Sequence, residues 1–193
     1  MQTNILAPLP DIRSTRPKKG AVVITGVAGY HQMDGFSCGA SLVGTIVSAY
    51  IGRLDFLAWS KIVEKTDPCR TDGTPTRRVL ASLRDWGFTP SRISSFGPDS
   101  VGAALAEGNL VLSCLQMPRQ SEGETHWVAL VGASEDRVLV LNCTGIPLFT
   151  KRWMSWDDAR ALRDPDEPTY SVDTGLLEWV ADRRPHLQCN NSR

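Results

Sequence analysis

Three runs in the second half of the chain constrain the fold most. LVLSCLQM (110–117), HWVALVGA (126–133) and RVLVLNC (137–143) are apolar or alternating, and polar loops separate them. That pattern predicts an antiparallel meander, with Ser134-Glu135-Asp136 as a tight hairpin. The first half carries helical spacing instead. From Cys38 to about Tyr50, residues Leu42, Val43, Ile46, Val47 and Tyr50 recur at intervals of three and four, with Ser37 as the expected N-cap. A second helix is expected from about Phe56 to Glu64 (Leu57, Trp59, Ile62, Val63), and a third from near Thr76 (Val79, Leu80, Leu83, Trp86), ended by Gly87. Shorter elements are expected at AVVIT (21–25, strand), SRISSFG (91–97, weak strand), Pro98 to Glu107 (helix), Ser155 to Arg163 (helix) and Tyr170 to Val172 (strand). A helical part followed by a sheet-rich part is an α+β architecture, with the chemistry expected between the two.

Composition narrows the function classes. In 193 residues, 21 basic side chains balance 21 acidic ones, so no whole-chain attraction to nucleic acid or anionic membrane is expected. There is no apolar run of membrane-spanning length, and the first twenty residues lack the pattern of a cleaved signal, which points to a cytoplasmic protein or one delivered without a signal peptide. Residues 1–20 are rich in Pro and end in a basic stretch, reading as a flexible arm ahead of one domain, 21–193. The five cysteines contain no C-x-x-C pair, which disfavours a disulfide framework and a zinc finger, so no metal or other cofactor is expected. Oligomeric state is not encoded in any of these features.

The chemistry concentrates at Gln32-Met-Asp-Gly-Phe-Ser-Cys38-Gly39-Ala40, which puts a cysteine at the first turn of a helix after a Gly-rich loop. Unpaired backbone N–H groups at that end favour negative charge, so the thiol's pKa is expected to be lowered. Gly39 is expected to let a substrate approach closely. Across the loop, the Gln32 carboxamide and the Cys38 backbone N–H can form a two-donor oxyanion hole. Of the three histidines only His126 begins a strong strand, where an imidazole is rigidly placed as a general base. Asn142 lies sixteen residues on, enough for one strand, a hairpin and the return, so its side-chain oxygen can accept the His126 ring N–H and fix the tautomer. Asn142 also fits a simple turn residue, and the other four cysteines fit buried packing.

The residues Gln-x5-Cys-Gly-Ala opening a helix, Gly108-Asn109-Leu-Val-Leu, His126-Trp-Val-Ala-Leu-Val-Gly and a polar residue sixteen further on together resemble the papain-like cysteine peptidases. Within these the chain is most similar to the peptidase C39 group, the bacterial bacteriocin-processing and C39-like domains, from about Tyr30 to Arg163. The resemblance implies a papain-like fold with Cys38 as nucleophile, His126 as base, Asn142 as orienter and Gln32 in the oxyanion hole, acting on a protein or peptide through a thioester. Asn142-Cys143 stands where the C39 pattern usually has Asp-Pro.

Two other readings follow from the residues. The same site chemistry serves a glutamine deamidase or a transglutaminase-type acyl transferase, which ranks second to a peptidase. VVITGVAG (22–29) looks like the start of a dinucleotide-binding turn, but the third glycine is missing and the second half lacks βαβ patterning. Trp127 and Trp153 are candidate walls of the substrate groove, with core packing as the alternative.

Overall fold

A helix that opens on Cys38 packs against the strand that opens on His126, and the remaining elements hold that pair in place. The computed structural model describes residues 20–30, 32, 34–116, 125–142, 151–173 and 187–189. The elements in chain order are β1 (Val22–Ile24), α1 (Cys38–Ile51), α2 (Phe56–Thr66), α3 (Thr76–Asp85), β2 (Thr89–Arg92), α4 (Pro98–Ala106), β3 (Leu110–Leu115), β4 (His126–Ala133), β5 (Arg137–Asn142), β6 (Lys151–Ser155), α5 (Trp156–Leu162), β7 (Tyr170–Asp173) and β8 (Leu187–Cys189). Residues 1–19 of the expected N-terminal arm lie outside the described residues, as do His31 and Cys143. Among the described residues no helix is long and apolar enough to cross a membrane.

The antiparallel meander is present and larger than expected: β3, β4, β5 and β6 pair in succession. β7 returns to the free edge of β3, with β2 outside it, and every pairing in the eight-stranded sheet is antiparallel. β1 pairs with Gly132 and Ala133 of β4, two positions that also pair with β5, so β1 continues the edge that β3 occupies lower down. The antiparallel pairing of β1 with β4 and β8 removes the βαβ dinucleotide-binding reading of residues 22–29. Between Leu130 and Gly132 the β4–β5 register shifts by a bulge. Space is tight there, since a Cβ on Gly132 would stand 3.1 Å from both the Leu139 and Val23 side chains.

The α1 stripe is buried as the spacing predicts, Leu42, Val43, Ile46, Val47 and Tyr50 all lying in the core. The Tyr50 hydroxyl ties the end of α1 to the start of β3, donating to the Gly108 carbonyl (2.9 Å) and accepting from the Leu110 N–H (3.3 Å). Residues Val79, Leu80 and Leu83 of α3 are buried likewise, and Gly87 ends the helix at φ 84° with the Phe88 N–H reaching the Leu83 carbonyl. Two expectations differ. Leu57 of α2 is 63% exposed, because α2 buries Ile62 and Thr66 and half-buries Trp59 and Val63 instead. The weak strand expected at 91–97 lies earlier, over Thr89–Arg92, where β7 supplies its partner and Pro98 starts α4.

Candidate active site

The loop before α1 is set by Asp34. Its Oδ1 accepts the backbone N–H groups of Phe36 (2.8 Å) and Ser37 (2.6 Å), an Asx-type turn that aims the chain into the helix. Ser37 stands at the expected N-cap position but its side chain makes no capping bond, since the Asp34 carboxylate holds it. Burial alone would push the Asp34 carboxyl up. The Phe36 and Ser37 N–H groups, with the side chains of Ser37 and Gln32, hold it below the usual carboxylate range.

Gln32, 5% exposed, therefore donates from its carboxamide to Asp34, while its Oε1 is buried with no partner among the described residues. A carboxylate only accepts, so Asp34 fixes which end of the amide is nitrogen, and the second N–H of that nitrogen is left for another acceptor. Tyr30 anchors the start of the loop: its N–H donates to Thr45 Oγ1 (2.9 Å), its hydroxyl accepts from the Leu54 N–H (3.0 Å), and its ring stacks on Trp59 at 5.7 Å.

Cys38 is the first residue of α1 and is 7% exposed. Burial pushes its thiol up, against the backbone N–H groups of Trp127, Gly39 and Cys38 itself, which pull it down; the Asp34 charge adds to the rise. The expectation of a lowered thiol is thus corrected. The helix N-terminus acts in the expected direction, but desolvation of the charged form outweighs it.

Gly39 also plays a different part from the expected one. A Cβ on it would sit 2.6 Å from Thr74 Cβ and Cγ2 and 2.8 Å from Val79 Cγ2, so the missing side chain makes room for the loop before α3, not for a substrate.

His126 is 3% exposed and opens β4. Its ring shares a hydrogen bond with the Asn142 side chain, and Nε2 is buried without a partner among the described residues. Register explains the meeting. Asn142 pairs with Val128 across β4 and β5, and Val128 points to the same face as His126, so Asn142 lies diagonally across from the imidazole. Burial lowers the His126 pKa to about 4, with the Asn142 bond opposing the shift. Burial thus works against the charged form of both the imidazole and the thiol.

Trp127 follows His126 and links the parts. Its backbone N–H meets the Cys38 sulfur, its indole N–H donates to the Thr74 carbonyl at 3.0 Å, and across the ladder it faces Cys114 of β3. With Cys38 and Cys114 it lines a cavity of about 150 Å³. Trp153 is corrected as a groove wall. It pairs with Leu139, three residues from Asn142 along β5 and therefore on the opposite face of the sheet.

The architecture has known counterparts. The peptidase domain of Streptococcus ComA, a bi-functional ABC transporter involved in quorum sensing, matches with a TM-score of 0.54 at 12% identity, covering 74% of this chain and 93% of that domain. A double glycine motif protease from an AMS/PCAT transporter, solved in complex with the leader peptide, matches with a TM-score of 0.55 at 13% identity, covering 79% of this chain and 99% of that one. The fold is that of the papain-like C39 peptidase domains. No protein-family model matches the chain, and no curated protein sequence does either.

Within this papain-like fold the loop of Gln32, the start of α1 and the first residues of β4 come together, as the sequence leads one to expect. Two contributors went unnoticed there. Asp34 was legible, since Asp three residues before a helix-opening Ser is a turn signal. Thr74 was not, because nothing local marks it as the neighbour of Gly39 and Trp127.

Proposed function

We propose that the chain is a cysteine peptidase with Cys38 as nucleophile, His126 as general base, Asn142 as orienter and Gln32 as an oxyanion donor. One chain of contacts carries the reading: the Cys38 sulfur meets the N–H of Trp127, the residue after His126, and the His126 ring is held by Asn142. The leader peptide bound to the AMS/PCAT protease supports a peptide substrate.

His126 takes the thiol proton as the Cys38 sulfur attacks the scissile carbonyl carbon. The oxygen gains the negative charge and is held by the Cys38 backbone N–H and a Gln32 carboxamide N–H. Collapse breaks the C–N bond, the imidazolium returns its proton to the leaving amine, and a thioester remains on Cys38. A water deprotonated by His126 then releases the acid and the thiol. Because burial disfavours both the thiolate and the imidazolium, charge separation is expected with substrate in place, when a polar carbonyl lies against the sulfur.

Peptide mapping by mass spectrometry of candidate proteins, incubated with wild type and with Cys38→Ala, tests the reading. Backbone cleavage by wild type alone supports it. A gain of about one mass unit at Gln without cleavage would assign a deamidase instead.

A further inference from the structure

Asp34 takes no part in the bond-making of the proposed reaction, yet four donors converge on its carboxylate: the N–H groups of Phe36 and Ser37, the Ser37 hydroxyl and the Gln32 carboxamide. Oδ1 holds both backbone N–H groups, at 2.8 and 2.6 Å, which fills its two lone pairs and leaves the second oxygen to the two side chains. The backbone bonds shape the turn into α1. The Gln32 bond joins side chain to side chain and shapes no backbone, so its consequence lies in Gln32 itself.

Gln32 is 5% exposed, and its Oε1 has no hydrogen-bond partner among the described residues. A half-turn of a carboxamide exchanges oxygen and nitrogen with almost no change of shape, so packing does not choose between the two orientations. On the Oε1 side no described donor chooses either. Asp34 does, because the reversed amide would set its oxygen against a carboxylate with no proton between them. In the observed orientation one hydrogen of the amide nitrogen goes to Asp34, and the second is left to meet a developing oxyanion. A buried acceptor without a donor is unfavourable, and the bond to a charged acceptor offsets it.

We infer that Asp34 is a positioning residue of the oxyanion hole, which holds the Gln32 amide in its donating orientation while setting the turn that delivers Cys38. The inference rests on the peptidase reading and assigns a further residue to that same site.

Two thiol reagents separate this role from scaffolding. N-acetylglycine p-nitrophenyl ester acylates the sulfur through a tetrahedral oxyanion with loss of nitrophenolate, whereas iodoacetamide alkylates it by displacing iodide at carbon and forms no oxyanion. Both are followed on wild type, Asp34→Asn, Gln32→Ala and the double variant, with Cys38→Ala as background. Asp34 is exposed, and Asn keeps an oxygen for the Phe36 and Ser37 N–H groups, so Tm should hold; its amide N–H, turned toward Gln32, should reverse the Gln32 carboxamide. Acylation should fall roughly tenfold or more in both single variants. The double variant should be no slower than Gln32→Ala alone, because Asp34 acts through that side chain. Alkylation of Asp34→Asn should be no slower than that of wild type, since burial and the Asp34 charge both oppose the thiolate. In wild type itself the Gln32 side-chain amide should show, by 15N-resolved NMR, one hydrogen slowed in exchange relative to the other; an equivalent pair overturns the inference even where Asp34→Asn does not fold. Unchanged acylation in Asp34→Asn beside a slow Gln32→Ala also overturns it, as do additive losses in the double variant or a parallel fall in alkylation, and all of these leave the peptidase reading standing. Alkylation of Cys38 in wild type with no Cys38-dependent acylation overturns both.

Discussion

His126 and Asn142 are joined by a hydrogen bond between side chains on one face of adjacent strands, and that bond works against burial, which holds the imidazole's pKa at about 4. The unfolded chain binds the His126 proton near pH 6.5, so as pH falls from there the unfolded state takes up a proton that the folded state refuses. Stability from His126 is thus fully present above about pH 6.5 and is lost as pH falls to about 4, amounting to about 3 kcal/mol. Urea midpoints measured across that window should fall for wild type and fall less for His126→Gln. Parallel curves would show that His126 is not buried in its neutral form.

Substitution of Asn142 should separate orientation from charge. Asn142→Asp keeps an acceptor and adds a negative charge that raises the imidazole pKa, so peptide cleavage should persist with a displaced pH profile. Asn142→Ala leaves the ring free to rotate and should slow that reaction by roughly tenfold or more. An Ala variant as fast as wild type would make Asn142 a packing residue, and Asp157 and Asp158 cannot replace it, since α5 begins beside Arg137 at the far end of β5.

Gln32 and Asp34 should fail in different ways. Gln32→Ala removes an oxyanion donor and should reduce kcat about 10²- to 10³-fold with little change in Tm. Asp34→Ala removes the acceptor of two loop N–H groups as well as the anchor of the Gln32 amide, so it should lower Tm, by about 1 kcal/mol in stability, as well as kcat. If Asp34→Ala keeps full kcat, the amide is oriented by something else.

Gly39→Ala should be destabilising by about 1–3 kcal/mol, because the new methyl overlaps Thr74 and Val79. The measurement is the urea midpoint, and Thr74→Gly in the same chain should recover part of the loss. A neutral Gly39→Ala would mean that the loop before α3 moves freely.

Periodicity made α1, α3, β3, β4 and β5 legible, since each buries one face or both and its spacing records that burial. β6 was not legible. Lys151-Arg152-Trp153-Met154-Ser155 has little apolar content and becomes a strand because the exposed edge of β5 offers it hydrogen bonds, a tertiary cause with no local trace. Missing β6 is also why Trp153 was misplaced: its face depends on the register with Leu139, which sequence spacing does not encode. That the Gln32 loop, Cys38 and the start of β4 meet, with Asn142 beside His126, was legible from spacing, whereas the electrostatics there were not. The burial that disfavours the charged forms of Cys38 and His126 comes in part from segments remote in sequence, Thr74 among them.

β4 alone among the described strands has three neighbours, β3, β5 and β1. Its amides should be the last to exchange with deuterated solvent, at a free energy near that of global unfolding. The segments 72–75 and 164–167 beside Cys38 lie outside the named helices and strands. Variation among descendants of this chain can therefore alter those segments beside Cys38, while the imidazole keeps its place because moving it means unravelling the sheet's best-connected strand.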